Sequence, residues 1–113
     1  MPNLFTVELP KDAAAAAGEI ERAVAKMDGV ARSGALAARS LDPVSIGVWV
    51  QMAAGAIDLG EKLGGTLMRV FGIVKEKNIK GARLKLEGME IELGEMTVEE
   101  FEQVVARLKK AAG

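Results

Sequence analysis

Residues 82–95 run Ala82-Arg83-Leu84-Lys85-Leu86-Glu87-Gly88-Met89-Glu90-Ile91-Glu92-Leu93-Gly94-Glu95, and this stretch decides the fold. With Glu87-Gly88 as a two-residue turn, Leu86 faces Met89, Leu84 faces Ile91 and Ala82 faces Leu93 on one side of a β-hairpin. The other side sets Lys85 against Glu90 and Arg83 against Glu92, opposite charges directly across the strands. One register thus satisfies an apolar face and an ionic face together. Glutamate is a poor residue for the left-handed backbone such a turn requires, so a longer loop with a shifted register is the alternative.

Immediately downstream, Thr97-Val98-Glu99-Glu100 forms a capping box, and Met96 is placed to staple onto Phe101. A helix follows through Phe101, Val104, Val105 and Leu108. Its acids (Glu99, Glu100, Glu102) and bases (Arg107, Lys109, Lys110) suit the two ends of the helix dipole. Far upstream, residues 4–9 alternate Phe5, Val7 and Leu9 with Thr6 and Glu8 and stop at Pro10, the pattern of a strand with one buried face. A two-stranded hairpin is marginal alone, so this strand is expected to join its sheet and to leave an edge open to another chain. Asp12 stands where an N-cap belongs. Residues 13–27 carry an apolar stripe at Ala13, Ala16, Ile20, Val24 and Met27, with Asp28-Gly29 as the stop.

The middle of the chain is less legible. Residues 30–41 fit neither period; a loop with some extended structure is the expectation, with strand or short helix left open. Asp42-Pro43 signals a helix start. An apolar stripe then runs through Ile46, Trp49 or Val50, Ala53, Ile57, Gly60, Gly64, Leu67, Phe71 and Val74, at spacings of three and four. A helix over residues 43–77 would be about 50 Å long, so Gly64-Gly65 is a candidate break and one helix or two are both open. The fold class expected is α+β, a single domain over residues 1–113. Its small sheet, the N-terminal strand plus the C-terminal hairpin, packs against a long central helix and terminal helices in the order β-α-(loop or strand)-α-β-β-α.

Half the residues are apolar and 27% are charged, the balance of a folded globular chain. Cys, His and Tyr are absent. Their absence removes thiolate chemistry and the commonest neutral-pH base and metal ligand, leaving carboxylates, lysine, arginine and hydroxyls. No Walker motif, nucleophile elbow or dinucleotide fingerprint occurs, and no cofactor is expected. A net charge of -1 with three Phe and one Trp argues against nucleic acid as a partner. Residues 1–5 lack a basic region ahead of an apolar run, which favours a cytoplasmic location.

Three features are candidates for function. The first is the uncharged run 43–57 with the glycines that follow. Its face of Ile46, Trp49, Val50, Ala53, Ile57, Gly60 and Gly64 would make a helix–helix contact in a homo-oligomer or with a partner protein. At about 15 residues it is short of the roughly 20 needed to span a bilayer. The second is a basic block, Arg69, Lys75, Lys77, Lys80, Arg83 and Lys85, followed by seven glutamates between Glu87 and Glu102. Together with helix 43–57 it supports an alternative, a membrane-associated protein facing anionic head groups; the simpler view is that the hairpin pairs these charges internally. The third is Glu90 and Glu92 approaching Glu95 or Glu99 as an acid/base pair or hard-cation site, weighed against ordinary solvated glutamates.

The succession of a Gly- and Ala-rich apolar helix over 42–74, a short Gly-turned hairpin over 84–93 and a helix over 97–108 resembles the small bacterial effector-associated constant component domains. Those domains accompany protease, nuclease or other effectors in conflict and defence gene clusters. The resemblance covers roughly the last seventy residues and implies a non-enzymatic adaptor or regulatory module. It carries no functional residue onto this chain.

Overall fold

The computed structural model describes residues 4–36, 45–53, 59–86 and 88–112. Its strands are β1 (Leu4–Pro10), β2 (Val30–Leu36), β3 (Ser45–Met52), β4 (Arg83–Leu86) and β5 (Met89–Glu92). Its helices are α1 (Ala14–Ala25), α2 (Leu59–Glu76) and α3 (Val98–Ala112), with a single 3-10 turn at Lys11–Ala13. β1 forms the centre of one antiparallel sheet of order β2-β3-β1-β4-β5, pairing Val7 with Val48 of β3 on one side and with Leu84 of β4 on the other. The N-terminal strand therefore does join the hairpin's sheet.

Because neighbours run antiparallel, β1 and β2 point the same way with β3 between them, and β3 and β4 point the same way with β1 between them. α1 connects the first pair and α2 the second. Two interleaved β-α-β units of this kind make the split, ferredoxin-like topology, here extended by β5 and α3. The alternate residues Phe5, Val7, Leu9, Val48, Val50, Met52, Leu84, Leu86 and Ile91 are all buried. They share one apolar core with Ile20 and Val24 of α1, Leu67, Phe71 and Val74 of α2, and Phe101, Val105 and Leu108 of α3. The helices thus form one layer and the sheet the other.

The hairpin has the expected register, Leu86 with Met89, Lys85 with Glu90, Leu84 with Ile91 and Arg83 with Glu92, and the Leu93 amide donates to the Ala82 carbonyl at 2.8 Å. Gly88 takes the left-handed conformation at φ 74°, which a side-chain-free residue adopts without strain. The capping box is complete: the Glu100 amide donates to Thr97 Oγ1 at 3.2 Å and the Thr97 amide donates to Glu100 Oε1 at 3.0 Å. These donors and acceptors satisfy groups that a helix start leaves without intrahelical partners.

Two expectations need correction, and one open alternative is settled. Within residues 43–57, the described residues 45–52 form a strand, not a helix. Ile46, Val48, Val50 and Met52 alternate with Gly47, Trp49 and Gln51, and adjacent Trp49 and Val50 let the same letters imitate helical spacing. The β-branched content and the cross-strand partners on both sides favour the strand. Residues 30–36 are also a strand, an edge strand with a register irregularity between Val30 and Arg32. Finally, Asp12 lies inside the 3-10 turn, and α1 starts after Ala13 without a side-chain cap. α2 runs unbroken through Gly64-Gly65, and the Asp42-Pro43 start lies outside the described residues.

Candidate functional site: the open face of the sheet

Directly opposed residues of antiparallel strands share a face, so the register composes the second face of the sheet. One row holds Gly34, Trp49, Thr6, Lys85 and Glu90; the next holds Gly47, Glu8, Arg83 and Glu92; a third holds Arg32, Gln51 and Leu4. None of the described helices packs on this face. Exposure varies across it: Leu4 is 51% exposed and Trp49, the chain's single tryptophan, is half-buried, while Glu8 and Gly47 are buried.

Trp49 sits here because β3 turns it away from the core that Val48 and Val50 enter. Its ring lies across Gly34: a Cβ on Gly34 would stand 2.9 Å from both Trp49 Cζ2 and Nε1. An aromatic side chain covering a glycine on a neighbouring edge strand shields backbone that the glycine leaves bare.

Beside Trp49 the charges are ordered by strand, acid on β1, base on β4 and acid on β5. Lys85 Nζ lies 2.8 Å from Glu8 Oε2, and Arg83 Nη1 donates to Glu90 Oε1 at 3.1 Å. The hydrogen bond to Glu8, with the attraction of the same carboxylate, raises the Lys85 pKa above its ordinary value. Arg83 is likewise raised, first by its hydrogen bond to Glu90 and then by the charge of Glu8. The directly opposed pairs anticipated from the hairpin are thus replaced by a diagonal bond within it and a bond to β1. Nothing in the hairpin alone could announce Glu8, which reaches Lys85 only through the β1–β4 pairing.

Of the seven residues anticipated on one helix face, the six described are divided among four places. Ile46 and Val50 belong to the core side of β3, with Val50 fully buried. Trp49 is on the open face, and the Ala53 amide donates to the Gly29 carbonyl at 2.7 Å, closing the end of β3. Ile57 lies outside the described residues. Gly60 and Gly64 do mediate a close helix–helix approach, but within the chain: a Cβ on Gly60 would stand 2.7 Å from the Lys109 carbonyl of α3, and one on Gly64 3.0 Å from Val105 Cγ1. Phe71 and Phe101 stack at 4.3 Å farther along the same contact.

The basic block is dispersed rather than pooled. Lys77 pairs with Glu19 of α1 at 3.1 Å, Lys75 donates to the Gly94 carbonyl at 3.2 Å and lies over the Phe71 ring, and Arg83 and Lys85 are paired as above. No helix among the described residues is long and apolar enough to cross a membrane. Glu90, Glu92, Glu95 and Glu100 line a groove of about 300 Å³ with Ile91 and Met96. Among the described residues no cluster of acidic side chains is arranged to hold a metal ion. A larger cleft of about 540 Å³ separates the start of α1 from the turn after α2; Asp12, Glu19, Lys77 and Lys80 line it. Glu19 and Lys77 are already joined there.

No protein-family model matches the chain, and no curated protein matches its sequence.

Proposed function

We propose that the protein is a non-catalytic interaction module, an adaptor or regulatory component, that self-associates or docks on a partner protein, with the open sheet face as the surface for self-association. One observation carries this reading: the single tryptophan is partly exposed on a sheet face that the described helices leave uncovered. Tryptophan is enriched where interfaces concentrate their binding energy. The surrounding stripes of both signs are suited to a second copy related by a two-fold axis, which can set acid against base on both sides of that axis. The resemblance to effector-associated constant component domains supports the same class, and with it a cytoplasmic role in bacterial conflict or defence.

Trp49 is also the natural reporter. On dilution of the protein its emission is expected to shift to longer wavelength as the face becomes solvated, at concentrations where circular dichroism is unchanged. Emission that stays constant across the same dilution would remove the basis for self-association through this face.

A further inference from the structure

β5 closes one side of the sheet, and its register fixes what its free edge offers. The Leu93 amide bonds to Ala82. In an antiparallel ladder alternate residues exchange these bonds, so Met89 and Ile91 turn their backbone groups toward β4. Glu90 and Glu92 then direct their N–H and C=O groups away from the sheet. Among the described residues no strand pairs with that edge.

The side chains along the edge have an equally definite pattern. On the helix side, Met89 is 45% exposed beside the groove that Ile91 and Met96 floor. On the open side stand Glu90 and Glu92, and Glu95 and Glu100 border the groove. Glu92 and Glu95 have no ion-pair partner among the described residues. Glu90 is bonded to Arg83 and Glu92 lies within the field of the same arginine, so the alternation of acid on β1, base on β4 and acid on β5 ends on an edge where acids outnumber the bases they meet. A second copy of β5 does not fit: any antiparallel pairing of β5 with itself that keeps the faces aligned sets glutamate opposite glutamate, which is destabilising.

We propose that the β5 edge receives an extended segment of a partner protein in which basic residues alternate with apolar ones. Its backbone bonds to Glu90 and Glu92 as an added strand. Its basic residues lie on the open face against the two glutamates, and its apolar residues cover Met89 and the Ile91–Met96 groove. β4, with the sequence Arg83-Leu84-Lys85-Leu86, already makes this set of contacts from the other side of β5. The inference rests on the interaction-module reading and names the partner's chemistry.

The test is a titration of the intact protein with a synthetic peptide of alternating leucine and lysine, against a peptide of the same composition with its lysines grouped. Binding of the alternating peptide is expected to slow hydrogen exchange at the Glu90 and Glu92 amides and to weaken with salt. The variant Glu92→Lys/Glu95→Lys, whose wild-type residues make no ion pairs, is expected to bind it about tenfold more weakly. Equal binding of the grouped peptide, unchanged exchange on β5, or full affinity in the variant would overturn the proposal. A peptide response at the Trp49 indole N–H with none on β5 would also overturn it, while leaving the interaction-module reading intact.

Discussion

Lys85 on β4 lies 2.8 Å from Glu8 on β1, and the Glu8 side chain is only 5% exposed while that of Lys85 is 42% exposed. The pair joins the central strand to the hairpin on the face opposite the core. A buried carboxylate depends on its cation for compensation, so Lys85→Met is expected to destabilise the fold. The double variant Glu8→Gln/Lys85→Met should lose less than the sum of the two single losses. Urea denaturation of the four proteins checks this; strictly additive losses would mean the two residues are not coupled.

The same pair sets a pH dependence. The Lys85 pKa is raised in the folded protein above its ordinary 10.5. Its contribution is therefore complete below pH 10.5 and is lost as pH rises through the higher folded value. Unfolding followed from pH 9 to 12 should show an alkaline loss of stability that is smaller in Lys85→Met.

At the start of α3 the sign is opposite. Hydrogen bonds from the Thr97 backbone, and then from its side chain, lower the Glu100 pKa below its ordinary 4.5, so this contribution is present above pH 4.5 and is lost on acidification. Thr97→Ala removes the cap and should cost about 1 kcal/mol. It should also move the Glu100 titration, followed by NMR, upward toward the ordinary value.

The glycines of α2 separate into two classes. A Cβ on Gly60 meets the Lys109 backbone, whereas Gly65 and Gly72 have nothing within 4 Å of a Cβ. Gly60→Ala is expected to destabilise by about 1–3 kcal/mol through overpacking. Gly72→Ala, in the exposed helix interior, should stabilise by about 0.5–1 kcal/mol. Thermal melts of both variants check the contrast; a stabilising Gly60→Ala would contradict the close approach of α2 and α3.

On the open face, Gly34→Val places a branched side chain where the Trp49 ring lies. The ring must move, and the variant should show both a shift in tryptophan emission and a lower melting temperature. Unchanged emission would contradict the Trp49–Gly34 contact.

Local signals carried the two ends of this fold. The hairpin register follows from Arg83 to Glu92, where both faces agree, and the capping box from Thr97 and Glu100, which are three residues apart. The α+β class and the inclusion of the N-terminal strand in the hairpin's sheet follow from these and from Phe5, Val7 and Leu9. β3 was hidden because Ile46, Trp49, Val50 and Ala53 satisfy a helical spacing while Ile46, Val48, Val50 and Met52 satisfy a strand. Only pairing with β1 and β2, distant in sequence, separates the two. β2 was obscure for a related reason: Arg32, Ser33 and Gly34 have weak strand preference, and Gly34 is suited to its place by the ring of Trp49. Once β3 is a strand, Trp49 leaves the supposed helix face and appears on the open sheet. The interaction surface moves with it, away from Gly60 and Gly64.

The central claim, self-association through the face around Trp49, is tested most directly by sedimentation equilibrium of the wild-type protein and Trp49→Asp over a range of concentrations. The wild type is expected to rise above the 11.9 kDa of one chain as concentration increases, with Trp49→Asp remaining at the single-chain mass and retaining the wild-type circular dichroism. A wild type that stays at the single-chain mass throughout, or a folded Trp49→Asp that associates as the wild type does, would contradict it.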